Sequence, residues 1–125
     1  MNHTEFERLM KLQVMFSDSD GITRNSLTNA AVWNKYLTPT GLYLFYQDDP
    51  WDFLVYVVNA TGSAIRYSGF AWGYSGEGPR GLQQMIKELG WTVPDETAWP
   101  QAHVAGVWFV APNGKITRPI FKEGV

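Results

Sequence analysis

Three runs between residues 41 and 72 restrict the fold more than any other feature of this chain. GLYLFYQ (41–47), FLVYVVN (53–59) and AIRYSGFAW (64–72) are dense in the aromatic and β-branched residues that fill a pleated surface. The connectors between them, QDDPWD and ATGS, are too short for a crossover helix, so neighbouring strands run antiparallel. FLVYVVN is apolar at both parities, which predicts a central strand covered on both faces.

Two further strands are predicted near the C-terminus. VAGVWFVA (104–111) and KITRPIF (115–121) are joined by Pro112-Asn113-Gly114, and Asn-Gly between two strand patterns signals a hairpin. Pro119 lacks an N–H, which places the last strand at a sheet edge. The helices follow from a 3.6-residue period. Leu82, Met85, Ile86 and Leu89 form one stripe, with Pro79 suited to the first turn and Gly90 to the stop, which gives a helix over 79–89. A second helix is predicted over 4–16. Thr4 would cap it, Glu5 and Glu7 would complement its dipole, and Phe6, Leu9, Met10 and Gln13 would form its stripe. A third is predicted over 27–37, with Leu27, Ala30, Ala31 and Tyr36 or Leu37 facing in. WTVPDETAWPQ (91–101) reads as loop. The expected architecture is α+β, one domain over residues 1–125, with a mostly antiparallel sheet of about five strands packed by two or three helices.

Composition sharpens this by exclusion. With 45% hydrophobic and 18% charged residues the chain is not disordered. The net charge is −2 and the ten Lys and Arg residues are scattered, so no basic stripe points to a nucleic-acid partner. The absence of cysteine rules out disulfides, thiolate metal sites and a Cys nucleophile. MNHTEFERLMKLQVMF lacks the basic start and apolar run of a signal peptide, and no stretch reaches the length of a membrane helix. A cytoplasmic protein without membrane contact is expected. The two histidines, His3 and His103, are far apart with no carboxylate spacing to match, so neither a metal nor a cofactor is expected.

Two loops have the look of ligand sites. The first, SDSDGITRNS, contains DSDG. With Asp20 and Gly21 as positions 5 and 6 of a calcium loop, positions 1 and 12 become Phe16 and Leu27, which cannot ligate calcium. The second is GYSGEGPRG (73–81), where Gly76-x-Gly78-x-x-Gly81 fits the dinucleotide fingerprint G-x-G-x-x-G. Pro79 removes a backbone donor from that loop, the chain is too short for two nucleotide-binding halves, and the surrounding strands look antiparallel. The physics beneath the motif is broader. A helix N-terminus offers unpaired N–H groups and partial positive charge, and glycines let a ligand approach the backbone. Arg80 in the first turn opposes the helix dipole unless an anion compensates it. Glu77 is the internal candidate for that anion and a bound phosphate or carboxylate the external one. Tyr67, Trp72 and Tyr74 lie near enough in sequence to stack on a ring.

The run Tyr74-Ser-Gly76-Glu-Gly78-Pro79-Arg-Gly-Leu82 resembles a Y-x-G-x-G-P-x-x-L turn-and-helix motif of small uncharacterised bacterial and phage proteins, over residues 67–90 alone. The resemblance implies an accessory protein of bacteria or their mobile elements, with sequestration of a nucleotide signal against host defence as one such role.

The functional expectation is non-enzymatic binding of an anionic, nucleotide-like small molecule. The amides near Gly76, Gly78 and Gly81 would receive the anion, Arg80 would supply charge, Glu77 would compete for it, and Trp72 or Tyr74 would stack. The alternative is an interaction module or homo-oligomer using the loop tryptophans Trp51, Trp91 and Trp99 and the C-terminal edge strand. His103 with a carboxylate could serve a small hydrolase, but no serine lies in a G-x-S-x-G elbow. Asp48, Asp49 and Asp52 read as a solvated turn. Arg66 and Arg118 lie within strand patterns, either solvated or reaching an anion at the glycine turn.

Overall fold

A computed structural model describes residues 1–48 and 51–119. Six strands form one sheet: β1 (Gln13–Ser17), β2 (Gly41–Asp48), β3 (Trp51–Val58), β4 (Ser63–Tyr67), β5 (Gly106–Val110) and β6 (Ile116–Thr117). Their spatial order is β1-β4-β3-β2-β5-β6. Every neighbouring pair is antiparallel except β1 and β4, which run parallel. Three α-helices complete the fold, α1 (His3–Leu9), α2 (Thr23–Trp33) and α3 (Glu77–Glu88). The α+β expectation holds, with one strand more than expected.

Period-2 alternation sorts the side chains to two faces. Leu42, Leu44 and Tyr46 of β2, Phe53, Val55 and Val57 of β3, and Trp108 and Val110 of β5 meet Ala30 of α2 and Leu82, Met85 and Ile86 of α3. The opposite parity, Phe45, Leu54, Tyr56, Val58 and Val107, packs under α1. There Phe6 sits with its ring centroid 5.2 Å from both Phe45 and Tyr56. FLVYVVN is therefore a central strand buried on both sides, as its composition predicts.

The N-terminal segment corrects the sequence reading. The helix expected over 4–16 stops at Leu9 and is capped by Asn2, whose Oδ1 accepts from the Glu5 amide, rather than by Thr4. Lys11 takes a positive φ of 54° and turns the chain into β1. In β1, Val14 and Phe16 are half-buried while Gln13, Met15 and Ser17 are exposed. A bulge at Met15 sends Val14 to the α1 face and Phe16 to the other. Met15 is an apolar residue at an outward position, 55% exposed, and this hid the alternation.

The second helix starts at Thr23, four residues early, and ends in a 3-10 turn over Asn34–Tyr36. Ala30 and Leu37 are buried as expected, but Ala31 and Tyr36 are exposed. Polar Ser26 and Asn34 take the inward positions instead, because each finds partners there. Tyr67 donates to Asn34 Oδ1 at 2.6 Å, and burial followed by the charge of Asp18 pushes its phenol pKa well above the usual range.

The strand expected over 64–72 ends at Tyr67. Phe70, Ala71 and Trp72 are buried in an irregular segment leading to α3. The C-terminal hairpin forms with Phe109 opposite Thr117 and Val110 opposite Ile116. The expected extension of its last strand beyond Pro119 lies outside the described residues, as does Asp49.

Candidate ligand cavity at the glycine turn

The turn between β4 and α3 forms one wall of a cavity of about 400 Å³. Trp72, Tyr74, Gly76 and Arg80 line it from this side. Glu96, Trp99 and Gln101 line it from the 91–101 segment, which contains a 3-10 turn at Glu96–Ala98 capped by Asp95. Gly73 brings the two walls together. Its φ is +84°, and a Cβ there would overlap the Ala102 amide nitrogen and come within 2.6 Å of the Pro100 carbonyl oxygen. A glycine is required both by the conformation and by the crossing of the two backbones.

The other glycines of the turn also answer to packing. A Cβ on Gly76 would lie 2.8 Å from the Tyr74 ring, and one on Gly78 3.0 Å from the Ala71 methyl. A Cβ on Gly81 would overlap the Thr23 methyl, so this glycine lets α3 lie close against the start of α2. Of the seven expected site residues, Trp72, Tyr74, Gly76 and Arg80 line the cavity, while Glu77, Gly78 and Gly81 are outside its lining. The fingerprint glycines are thus explained by the fold without a ligand.

Three features are not explained that way. Trp72 is 1% exposed, yet its indole N–H is buried with no hydrogen-bond acceptor among the described residues. An orphaned buried donor costs roughly 1–3 kcal/mol. Arg80 is exposed at the mouth, and among the described residues the one ion pair joins Arg66 and Glu7, so Glu77 does not neutralise Arg80. Gly76 supplies no side-chain cap to α3, and Pro79 contributes no donor, which leaves the first-turn amides without an intrahelical partner.

Beside the cavity stands an aromatic cluster. Tyr74 lies parallel to the His103 ring at 6.4 Å, and His103 meets Phe53 edge-on at 5.3 Å. His103 Nδ1 is 3.1 Å from the Tyr46 hydroxyl. The backbone of His103 has φ +62°, a conformation in which histidine is several-fold enriched. These contacts hold the His103 ring against Tyr46, Phe53 and Tyr74.

A smaller cavity of about 240 Å³ opens beside the ends of the parallel strands β1 and β4. His3, Asp18, Asp20, Asp52, Arg66 and Ser68 are among its lining residues. Arg66 pairs with Glu7, and Tyr56 donates to the same carboxylate oxygen at 2.7 Å. Burial, reinforced by that bond, pushes the Tyr56 phenol far above its ordinary pKa. Asp18 accepts from Ser26 Oγ, Asn29 Nδ2, Ser68 N and Ser68 Oγ at 2.7–3.0 Å. Burial also raises the Asp52 carboxyl, with His3 and Arg66 pulling weakly the other way. No group of three or more His, Asp or Glu residues among those described could hold a metal ion.

The remaining sequence candidates are accounted for by contacts elsewhere. Arg118 lies over the Trp108 ring at 4.9 Å and is not among the residues lining the cavity. Trp91 and Trp99 are half-buried against the core, and the Trp51 side chain is outside what the structure describes. The opposite cavity wall at Glu96, Trp99 and Gln101 has only a loop pattern in the sequence. Asp95-x-Thr97 could have flagged its 3-10 turn, but nothing local could place it against Gly73.

The fold and cavity define an α+β domain with a sheet covered on both faces and a donor-rich crevice at a helix start. No protein-family model, curated protein or solved structure matches the chain. No helix among the described residues is long and apolar enough to cross a membrane.

Proposed function

We propose that this protein binds an anionic, nucleotide-like small molecule in the cavity between the glycine turn and the 91–101 segment, without catalysing a reaction. The observation that carries the reading is the unneutralised Arg80 guanidinium, which lines the cavity together with Trp72, whose indole N–H has no acceptor among the described residues. The start of α3 at Gly76 adjoins it. Such a set favours negative charge. Tyr74 and Trp99 supply ring surface beside it. At about 400 Å³ the cavity lies at the small end of ligand pockets, which favours a mononucleotide over a dinucleotide. Sequestration of such a molecule by a bacterial or phage accessory protein is the biological role we attach to this reading.

Titration calorimetry with nucleoside monophosphates and with inorganic phosphate tests it. Binding that weakens about tenfold or more in Arg80→Ala, with the melting temperature unchanged, supports the reading. A sharp fall in melting temperature in Arg80→Ala, with no nucleotide bound by the wild type, contradicts it.

A further inference from the structure

The cavity lining also contains a carboxylate. Glu96 faces the same space as Arg80 but comes from the 91–101 segment on the opposite wall. The two opposite charges share one cavity and yet form no ion pair. Glu96 lies in the 3-10 turn that Asp95 caps through the Thr97 amide, so its backbone is fixed relative to the crossing at Gly73. The space is therefore lined by a guanidinium and a carboxylate from two different segments, with Trp72, Tyr74 and Trp99 also in its lining.

A ligand matched to that pair of charges carries an anion, paired N–H donors and a flat ring. An ionised carboxylate has two acceptor oxygens and no donor. The Watson–Crick edge of guanine presents two adjacent donors, N1–H and the 2-amino group, which a carboxylate takes as a pair. The same edge of adenine presents one amino donor beside the N1 acceptor, and the N1 lone pair would face carboxylate oxygen. Resting on the function proposed above, we infer that Glu96 makes the cavity selective for guanine mononucleotides, with the phosphate at Arg80 and the base edge at Glu96. Gln83 and Gln101, which also line the space, supply further hydrogen-bonding capacity around the base.

Calorimetric titration of the full chain with GMP, AMP and inorganic phosphate, repeated on Glu96→Gln, tests this. Glu96 is exposed, so the substitution leaves folding intact, which a melting curve checks. The expected result is GMP bound at least about tenfold tighter than AMP, with the preference falling to within about threefold in Glu96→Gln. Equal affinity for GMP and AMP, or a preference that survives Glu96→Gln, overturns the inference while leaving anion binding at Arg80 standing. No binding of any nucleotide or of phosphate removes the underlying function and the inference together.

Discussion

The loops SDSDG and GYSGEGPRG look alike as sequence, each short, polar, glycine-bearing and leading into a helix, but their polar groups meet opposite fates. Asp18 in the first loop accepts four hydrogen bonds and ties β1, α2 and the segment after β4 into one knot. Asp20 accepts from the Ile22 amide and Asn25, and the Asn25 bond in particular holds its carboxyl below the usual range. At the second loop, the indole N–H of Trp72 just before it and the Arg80 guanidinium within it have no partner among the described residues. A loop whose polar groups are saturated from within is a structural joint. One whose donors are left open beside a cavity is where we propose a ligand. Motif letters do not distinguish the two; hydrogen-bond satisfaction does.

The largest effect that would probe this contrast is on stability. Asp18→Ala strands the Ser26, Asn29 and Ser68 donors at once, and urea denaturation should show a loss of about 2–4 kcal/mol. A loss below 1 kcal/mol would mean the knot is not what joins these elements. Gly73→Ala forces a side chain into the backbone crossing at positive φ. It should cost about 1–3 kcal/mol and distort the cavity, so stability and ligand affinity fall together. Retention of both would show that the two walls are not set by that crossing.

Asp52→Asn is expected to stabilise slightly. Burial raises the folded carboxyl pKa, so the wild type loses stability as pH climbs from the unfolded value of about 3.9 through the folded one. The variant lacks that loss. Its melting temperature should match the wild type below pH 4 and exceed it at pH 7. A lower melting temperature at pH 7 would instead make the ionised carboxylate a stabilising partner of His3 and Arg66. The smallest stability effect is expected for Arg80→Ala, within about 0.5 kcal/mol, because the side chain is exposed and unpaired.

Much of the architecture was legible from period and turn chemistry. The aromatic runs gave β2, β3 and β4, the Asn-Gly turn gave the C-terminal hairpin, and the 82-85-86-89 stripe gave α3 to within two residues at its start. What failed did so for long-range reasons. β1 read as helix because its one exposed apolar residue, Met15, sits at the bulge and masks the alternation. The inward face of α2 was misassigned because Ser26 and Asn34 are buried on the strength of partners 8 to 51 residues away. At the cavity, Trp72, Tyr74, Gly76 and Arg80 were legible because they are neighbours in sequence. Gly78 and Gly81 read as ligand-facing, whereas the contacts that explain them are with Ala71 and Thr23. Glu96, Trp99 and Gln101 reach the site only through the crossing at Gly73, which no local pattern encodes.

The central claim is that the open donors at the glycine turn hold an anion. A paired titration of wild type and Arg80→Ala with GMP, with a melting curve for each protein, tests it most directly. The account predicts saturable binding to the wild type, at least about tenfold weaker binding to the variant, and superimposable melting curves. Identical affinities in the two proteins would contradict it, and so would the absence of any binding to the wild type.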